Sequence, residues 1–365
     1  MSDSTALCKV VRGDRERAAR SQRTVRSSMQ GIVFRGEREL ELVTFPDPTP
    51  GPNEVVVRIE ASGMCGSDLH VYRGPKDGTH GKIAGHEPAG VVVDAGSEVP
   101  RRWLGRPVMV HHYFGCGECD QCRAGWTQLC RNGAVAMGNT AHGSHADVVT
   151  VPFNTILPMP DGLSYLAAAA ISCGTGTAWG ALKRLHLTGD DTIAIFGQGP
   201  VGLAATQLAV AMGVRVVALD ISPARLKRAH EFGAWQTVNP AQVESVADVV
   251  RDLVGGRGVS KSLETSGASS AAQAALHVLD LWGAACWVGV GSTIHFDLTE
   301  HLYKQITATT SWTLSIPAME DCAKFVVERG VDVDALFTER WKLADYVDAY
   351  ELFDRQTSGK GVFTL

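Results

Sequence analysis

The first third of the chain alternates short apolar runs with turn-forming residues. Two of these runs, Glu54–Ile59 and Gly90–Val93, are rich in valine, and prolines and glycines interrupt the chain between residues 46 and 52. Short runs of β-branched residues bounded by such turn formers are typical of strands. No long stretch with helical periodicity occurs between Gln30 and Pro160. We therefore predict a β-rich body with loops.

From Leu163 to Thr310 the pattern changes to apolar strands that alternate with helical stretches such as Gly202–Met212 and Pro223–Phe232. Such alternation predicts βαβ units around a parallel sheet, and six strands suit a complete dinucleotide-binding domain. The predicted strands are Thr192–Phe196, Arg215–Leu219, Gln236–Val238, Ser260–Glu264, Ala284–Val290 and Gln305–Thr309.

The two ends of the chain differ from these halves. Beyond Ser311 a predicted helix, Ala318–Arg329, and short segments are too small for a domain, so we expect them to fold back onto the β-rich body. Residues 1–28 contain many arginines and no apolar core of a secretory signal, which indicates a disordered extension or a start nearer Met29. The expected organisation is an extension at 1–28, a β-rich domain at 29–162, a dinucleotide domain at 163–310 and a completing segment at 311–365.

The composition is that of an ordinary globular protein of about two domains. The chain has 365 residues, of which 45% are hydrophobic and 20% charged. A net charge of −5 gives no indication of a nucleic acid or an anionic membrane as partner. No uninterrupted apolar stretch reaches the ~18 residues of a membrane-spanning helix. These features favour a cytoplasmic protein that acts on a small molecule.

Four of the nine cysteines are closely spaced, with two residues between the first three and seven before the fourth. Without a secretory signal such a cluster favours a metal site over a disulfide framework. Four thiolates can close a tetrahedral structural zinc site, which leaves no coordination position for substrate. Alternatives are an iron–sulfur site, two disulfides or unrelated cysteines. The residues are Cys116, Cys119, Cys122 and Cys130.

A second group of candidate metal ligands is dispersed along the chain. Cys65, His86 with Glu87, and Cys173 each lie beside glycines. Two cysteines and one histidine are a known ligand set for catalytic zinc, which keeps a fourth position for water or substrate. Taken singly, each is more often a core cysteine or a hydrogen-bonded histidine. Together they can meet in a cleft between the two halves of the chain.

A glycine-rich turn directly follows the predicted strand Thr192–Phe196 and opens a helix. It reads Gly197, Gln198, Gly199, Pro200, Val201 and Gly202, the G-x-G-x-x-G pattern of dinucleotide binding. Asp220 ends the next strand, where a carboxylate accepts hydrogen bonds from the adenosine ribose and repels a 2′-phosphate, so we predict NAD rather than NADP. Arg225 can approach the same ribose. The alternative is that Asp220 caps the following helix, a role that Ser222 could also take.

In this combination and order, the motifs of residues 29–365 resemble the zinc-dependent alcohol dehydrogenases of the medium-chain dehydrogenase/reductase superfamily. The matching segments are Cys65-Gly-Ser-Asp-Leu-His70, Gly85-His-Glu87, the four-cysteine lobe, Cys173-Gly-Thr-Gly-Thr177 and the glycine-rich turn. The resemblance implies an α/β fold in which a GroES-like β-rich catalytic domain accompanies a Rossmann domain with a doubly wound parallel sheet.

The resemblance also implies roles for individual residues. Catalytic zinc is expected at Cys65, His86 and Cys173, and a structural zinc at the lobe 116–130, which makes two zinc ions per chain. Glu87 is expected just behind the catalytic ion, Asp68 as the partner of a ligand, and Thr177 against the nicotinamide. A proton path is expected through Ser67 and His70. His112 falls where many relatives have an aromatic wall of the substrate pocket, and the alternative is that His111 and His112 face solvent at a strand end.

The implied reaction is reversible hydride transfer from a zinc-bound primary or secondary alcohol to NAD, which yields an aldehyde or ketone. Polyol and threonine dehydrogenases of the superfamily often carry glutamate at the position of Cys173, so they are the first alternative. A zinc-free quinone or enone reductase, or a non-catalytic structural relative, is disfavoured by the ligand set and proton path. A homodimer or homotetramer is expected, with edge strands near Ala284–Val290 pairing across a two-fold axis.

Overall fold

The computed structural model describes residues 28–76, 81–356 and 359–365. The predicted extension lies outside these residues, except for Ser28, which already belongs to the first strand. In the described part of the chain, no helix combines the length and the apolar character that crossing a membrane requires. Two large sheets organise the chain, one mostly antiparallel and one parallel.

The first half of the chain supplies most of a seven-stranded sheet, as its valine-rich runs predict. Strand β3 is central because its first half pairs with β8 while β4 pairs along its length. The strands of this half are β1 Ser28–Gly36, β2 Glu39–Pro46, β3 Glu54–Gly63, β4 Glu87–Ala95, β5 Pro107–Val110, β6 Tyr113–Phe114, β7 Val135–Ala136, β8 Val148–Pro152 and β9 Ile156–Pro158. Its helices are short: α1 Asp68–Arg73 and α2 Asp120–Arg123.

Two consecutive helices, α3 Tyr165–Ser172 and α4 Gly174–Arg184, connect the two sheets. Cys173 lies at the break between them, with φ −143° and ψ −79°, outside the helical region. Every residue from Ala167 to Ser172 is buried, and α3 packs against β3, β4 and β5 of the first sheet. The largest hydrophobic core runs through α3 and α4 from the first sheet into the second.

The second sheet is parallel and has the strand order β12, β11, β10, β13, β14, β15. This is the order of a dinucleotide-binding domain, with the crevice for the ligand at the carboxyl ends of β10 and β13, where the order reverses. The strands are β10 Thr192–Phe196, β11 Arg215–Leu219, β12 Gln236–Val238, β13 Val259–Glu264, β14 Leu279–Trp287 and β15 Thr307–Thr310. The helices are α5 Pro200–Ala211, α6 Pro223–Glu231, α7 Val246–Leu253, α8 Ser269–His277 and α9 Leu298–Lys304.

The prediction for the edge of this sheet was wrong. The strand expected at Ala284–Val290 is β14, which ends at Trp287 and has neighbours on both sides, so the edge strand is β15. The N–H of Val288 makes the last ladder bond to the carbonyl of Glu264, and the N–H of Gly289 bonds to the same carbonyl instead of continuing the ladder, so β14 ends there. Pairing of two sheets across a two-fold axis would therefore involve β15.

The last segment returns to the first sheet. After α10 Ile316–Arg329 come β16 Phe337–Trp341, α11 Tyr346–Asp354 and β17 Lys360–Thr364. Strand β17 pairs antiparallel with the last residues of β3 and parallel with β16. The far end of the sequence is thus adjacent to the turn that carries Cys65.

Candidate active site and metal centres

Three separate elements bring the dispersed ligand candidates together. Cys65 lies in the turn before α1, His86 directly precedes β4, and Cys173 lies at the break between α3 and α4. The two Sγ atoms are 3.9 Å apart. The ligand atoms of these three residues and of Glu87 all lie within 4.8 Å of one another. Residues that are far apart in the sequence therefore form one cluster.

Asp68 holds two members of this cluster. Its Oδ1 atom is 2.9 Å from Nδ1 of His86, and its Oδ2 accepts a 2.9 Å hydrogen bond from the backbone N–H of Cys65. Burial by itself would lower the pKa of His86, but the Asp68 carboxylate and the Cys65 sulfur outweigh it and raise that pKa well above its ordinary value. With Nδ1 directed at Asp68, Nε2 of His86 faces the cluster.

The two cysteines of the cluster shift each other's pKa in opposite directions. A hydrogen bond from Cys173 lowers the pKa of Cys65 well below its usual range, against the opposing effect of burial. The same contact, together with burial, raises the pKa of Cys173 well above its usual range. Two adjacent thiolates repel each other in a buried site, so both can be charged only when a cation lies between them.

Glu87 is fully buried and forms an ion pair with Lys360, with 2.5 Å between Oε2 and Nζ. The Lys360 ammonium also donates a 3.0 Å hydrogen bond to the carbonyl of Met64. Burial raises the pKa of Glu87 to about 7, although Lys360 opposes that shift. Among the described residues, Oε1 of Glu87 has no hydrogen-bond partner.

These donors fit a zinc ion. Two sulfurs and one imidazole nitrogen form a set that suits zinc and disfavours calcium or magnesium, which prefer oxygen ligands. A divalent cation in the cluster would explain the unpartnered Oε1 of Glu87 and would allow the two adjacent sulfurs to be thiolates together. Cys65, His86 and Cys173 are the residues that would hold it.

The four-cysteine lobe forms a second compact group of sulfurs, which also lie within 4.8 Å of one another. Backbone N–H groups point at them: that of Cys119 at Cys116 Sγ, that of Cys122 at Cys119 Sγ and that of Cys116 at Cys130 Sγ. Backbone N–H groups, with that of Arg131 contributing most, lower the pKa of Cys119 to about 6. Four sulfurs this close together, with backbone N–H groups directed at three of them, fit a closed structural zinc site.

The predicted proton path begins at the cluster. The Ser67 hydroxyl lies 3.2 Å from Cys65 Sγ and 3.2 Å from His86 Nε2, and the residue is exposed to solvent. His70 is exposed one turn further along α1.

Thr177, which is expected against the nicotinamide, is buried on the first turn of α4, on the same chain segment as Cys173.

The glycine-rich turn has the geometry that its pattern predicts. Gly197 has φ +84°, which favours glycine, and a Cβ at Gly202 would lie 1.8 Å from the Gly197 carbonyl oxygen. A Cβ at Gly199 would meet nothing within 4 Å, so this residue borders the open space of the crevice. Gly199 precedes Pro200, the first residue of α5, and gives the helix no side-chain cap. The first N–H groups of α5 are available for a phosphate.

Asp220 is buried at the end of β11 and does not cap the following helix. Its carboxylate accepts hydrogen bonds from the N–H groups of Gln198 (2.6 Å) and Ser222 (2.8 Å). The N-cap of α6 is Ser222, whose Oγ accepts from the N–H of Arg225. The Arg225 guanidinium lies 3.9 Å from Asp220 and donates to the carbonyl of Gln356. Asp220 is therefore placed at the glycine-rich turn, beside the crevice.

Sequence reasoning missed Glu264, which ends β13. Its Oε1 atom accepts hydrogen bonds from the N–H groups of Ser266 and Gly267, and the Thr265 hydroxyl donates to the carbonyl of Gly197. The loop after β13 is thereby fixed against the glycine-rich turn, at the point where the strand order reverses. An acidic residue at the end of a predicted parallel strand, directly before a loop with glycine, was the available signal.

The alternative that His111 and His112 face solvent is wrong, because both are buried. The ring of His112 lies 5.2 Å from that of His86, and its Nδ1 donates a 2.7 Å hydrogen bond to the carbonyl of Ser172. Burial lowers the pKa of His112 well below its usual value, so the ring is neutral. Tyr113 and Trp312 form an aromatic pair beside it, with ring centroids 5.2 Å apart. This group lies at the metal cluster.

Comparison with known proteins gives matches along nearly the whole chain. Residues 51–161 match the alcohol dehydrogenase GroES-like domain family, and residues 200–328 match the zinc-binding dehydrogenase family. The uncharacterized zinc-type alcohol dehydrogenase-like protein YphC of Escherichia coli (strain K12) is 32% identical over 350 residues, which cover 93% of this chain and 99% of that protein. An L-threonine 3-dehydrogenase of Shewanella sp. (strain ANA-3) is 30% identical over 337 residues, which cover 91% and 98%.

Among solved structures, the alcohol dehydrogenase TADH from Thermus sp. ATN1 superposes with a TM-score of 0.86 and 26% identity. The alignment covers 92% of this chain and 99% of that one. Together with the strand order of the two sheets, these likenesses confirm the predicted fold class, a GroES-like β-rich domain with a Rossmann domain.

Proposed function

The chain belongs to the zinc-dependent alcohol dehydrogenase family, and on that premise we propose that it is NAD-dependent and interconverts primary or secondary alcohols with aldehydes or ketones. The observation that carries this proposal is the cluster of Cys65, His86 and Cys173, with Ser67 Oγ 3.2 Å from two of its ligand atoms. A zinc-free quinone or enone reductase does not need these metal ligands or a hydroxyl beside them.

The bound groups supply the chemistry that side chains lack, since zinc polarises the substrate oxygen and the nicotinamide ring exchanges hydride. The protein binds, orients and moves the proton. Ser67 can accept a proton from the substrate hydroxyl and donate its own, as a relay requires. His70, exposed on α1, is suited to release that proton to water. A bound nicotinamide cofactor would supply its ribose hydroxyls to the same path.

Asp220 supports the choice of NAD over NADP. Its carboxylate is held at the glycine-rich turn by two backbone N–H groups, where it can accept from ribose hydroxyls and would repel a 2′-phosphate. The arginine nearby, Arg225, is engaged by the carbonyl of Gln356. Cofactor residues in this proposal are the glycine-rich turn 197–202, Asp220, Arg225 and Thr177.

The second candidate is a dehydrogenase of the polyol or threonine type. It is favoured by the polar ring of His112 within 5.2 Å of His86, which can receive a hydroxyl or amino group on the substrate. The L-threonine 3-dehydrogenase relative agrees with this choice. Cys173 disfavours it, because such enzymes often have glutamate there.

We further propose a homodimer or homotetramer. Apolar side chains that are more than half exposed lie on two elements next to each other near the edge of the parallel sheet. They are Leu281 and Trp282 on β14, the neighbour of the edge strand β15, and Leu302 and Tyr303 on α9, which contacts β14. An exposed apolar surface of this kind is typical of a protein–protein interface. Gel filtration with light scattering tests it, and a monomer at micromolar concentration would contradict the proposal.

The deciding experiment combines activity with metal analysis. Simple alcohols, polyols and L-threonine are offered with NAD and NADP, and the matching ketones with NADH, while absorbance of the reduced cofactor is followed. We expect turnover with NAD, two zinc ions per chain, and one zinc ion with no turnover but retained NADH binding in Cys65→Ser. Turnover by Cys65→Ser at the wild-type rate would exclude the proposed catalytic site.

A further inference from the structure

A buried chain of polar side chains extends from the metal cluster into the first domain. Next to Asp68, Nε2 of His145 lies 3.9 Å from Oδ2 of the Asp68 carboxylate and 2.8 Å from the hydroxyl of Tyr350. Nδ1 of His145 lies 2.7 Å from the hydroxyl of Ser62. That hydroxyl is in turn 2.7 Å from the hydroxyl of Ser144.

All members of this chain are excluded from solvent. Ser62, Ser144, His145 and Tyr350 have no exposed surface, and Asp68 is 5% exposed. Burying so many polar groups is costly unless each is satisfied, and a fully satisfied network fixes its members in one arrangement. No part of the proposed reaction uses His145 or Tyr350, so their burial beside Asp68 needs another explanation.

The positions of the groups indicate which atom donates each hydrogen bond. Burial lowers the pKa of His145 to about 4, so the ring is neutral and carries one proton. The Asp68 carboxylate, 3.9 Å from Nε2, favours that proton on Nε2, which donates to the hydroxyl of Tyr350. Nδ1 is then an acceptor, so the Ser62 hydroxyl donates to it and accepts from Ser144. The N–H of His145 therefore faces both Tyr350 and Asp68.

The orientation of Asp68 in turn determines which nitrogen of His86 carries the proton. One oxygen of Asp68 faces Nε2 of His145 and accepts from the N–H of Cys65, and the other accepts from Nδ1–H of His86. The proton of His86 is thereby fixed on Nδ1, and its Nε2 lone pair faces the ligand cluster. The tautomer of a metal-binding histidine is set by the partner of its other nitrogen, and such partners tune metal affinity.

The backbone gives a second connection between His145 and the same ligand. The N–H of His145 donates to the carbonyl of Ala84, and that of Ser144 to the carbonyl of Gly85, the residue before His86. Gly85 has φ +84°, and a Cβ there would lie 2.4 Å from Nδ1 of His145. The ring of His145 therefore packs directly over the turn that presents His86.

We propose that His145 and Tyr350 are positioning residues for the catalytic zinc: they hold Asp68 in the orientation that fixes the Nδ1–H tautomer and the ring plane of His86. The inference rests on the proposed catalytic site, because it assigns a function to residues that do not touch the ion. Their loss should weaken retention of zinc at the Cys65, His86 and Cys173 site and leave the four-cysteine zinc unaffected.

The test uses the full-length protein loaded with zinc. Tyr350→Phe removes the hydroxyl that contacts Nε2 of His145. Tyr72→Phe is its matched control, because Tyr72 is buried in the same aromatic cluster, 5.4 Å from Tyr350, and its hydroxyl is not one of the hydrogen-bond partners of His145 among the described residues. Release of zinc to a colorimetric chelator is followed for both. We expect one zinc ion per chain to leave about tenfold faster from Tyr350→Phe than from wild type or the control.

A second readout is the visible spectrum after cobalt(II) replaces the catalytic zinc. Tyr350→Phe and His145→Leu should shift the bands that report ligand geometry, whereas His145→Gln, which keeps an N–H donor for Tyr350, should resemble wild type more closely. The double variant Tyr350→Phe/His145→Leu should release zinc no faster than the worse single variant, since both break one chain.

The outcomes separate this inference from the proposed function. If wild type holds two zinc ions and Tyr350→Phe matches Tyr72→Phe in release rate and cobalt spectrum, the positioning role is overturned while the catalytic site stands. If wild type holds only the four-cysteine zinc, the proposed catalytic site and this inference fall together.

Discussion

The ammonium nitrogen of Lys360 lies 2.5 Å from Oε2 of Glu87, and neither side chain is more than 2% exposed. The two residues come from β17 and β4, on either side of β3 in the first sheet. The carboxylate that would lie behind the catalytic ion is thus neutralised by a residue from the last strand. This pair joins the end of the sequence to the site.

Lys360→Met should destabilise the protein strongly. Removing one partner of a buried ion pair leaves an uncompensated charge, which typically costs about 3–5 kcal/mol. The free energy of unfolding from urea titrations measures the loss. Adding Glu87→Gln should recover part of it, because the double variant buries no charge at this position.

The matched control for that substitution is Lys324→Met. Lys324 pairs with Glu320 at 2.7 Å, but both side chains are about half exposed. A solvent-exposed pair contributes about 0–1 kcal/mol, so this variant should remain close to wild type. Equal losses of unfolding free energy in Lys360→Met and Lys324→Met would contradict a stabilising role for the buried ion pair of Lys360 with Glu87.

Asp220→Gly should raise the use of NADP relative to NAD. The substitution removes the carboxylate that would bind the ribose and leaves the N–H groups of Gln198 and Ser222 unpaired. Loss of a charged hydrogen bond corresponds to about tenfold or more in kcat/KM. Steady-state kinetics with both cofactors measure the ratio. Asp190→Gly, in the exposed turn before β10, is the control and should leave it unchanged.

Cys119→Ser should remove the structural zinc and loosen the lobe 116–130. The thiolate of Cys119 is favoured by several backbone N–H groups, which a serine hydroxyl cannot replace as a metal ligand. We expect one zinc ion fewer per chain, a lower Tm, and limited proteolysis that begins within the lobe. A variant with two zinc ions per chain would refute the assignment.

Arg131→Ala provides the comparison for the lobe. Arg131 forms two hydrogen bonds with Asp120 at 2.6 and 2.7 Å, but both side chains are more than half exposed. The variant should therefore keep both zinc ions and unfold at nearly the same Tm as wild type.

His145 should make the protein less stable in acid. Its folded pKa is lowered to about 4, below the ordinary value of about 6.5, so between these pH values the unfolded chain binds a proton that the folded chain does not. By linkage, the full contribution of His145 to the free energy of unfolding is present above pH 6.5. As the pH decreases from 6.5 toward 4, the free energy of unfolding falls by up to about 1.4 kcal/mol per pH unit. Asp68, His86 and Lys360 are the charged groups that influence it.

The measurement is the free energy of unfolding between pH 4 and 7.5, with zinc in excess. His145→Gln should show a flatter decline than wild type over the acidic part of this range. His230→Gln, at an exposed position on α6, is the control and should follow the wild-type curve. Parallel curves for all three proteins would mean that His145 titrates alike in both states.

The features that the sequence predicted well have local signals. The glycine-rich turn is specified by six consecutive residues and the apolar strand before them, and the structure has the expected strand, turn and helix there. The four-cysteine lobe is likewise compact in sequence and in space. The end of β14 was harder to predict, because the apolar pattern continues through Val288, whereas the strand ends at Trp287.

Other features depend on contacts between distant segments, for which no period or spacing exists. Lys360 stands between glycines in an apolar run, which signals a special position but does not name Glu87 as its partner. The contact of His145 with Tyr350 spans 205 residues. The burial of His112 follows from the packing of β5 against α3, which the sequence does not encode locally.

The position of β17 beside β3 has a consequence for synthesis of the protein. On the ribosome, the strands of residues 28–158 emerge early, but their sheet lacks Lys360 and its neighbours until the whole Rossmann segment has been made. The parallel sheet is contiguous in the chain and can form while translation continues. We therefore expect nascent chains that stop before residue 360 to bind nicotinamide cofactor before they can retain the second zinc ion.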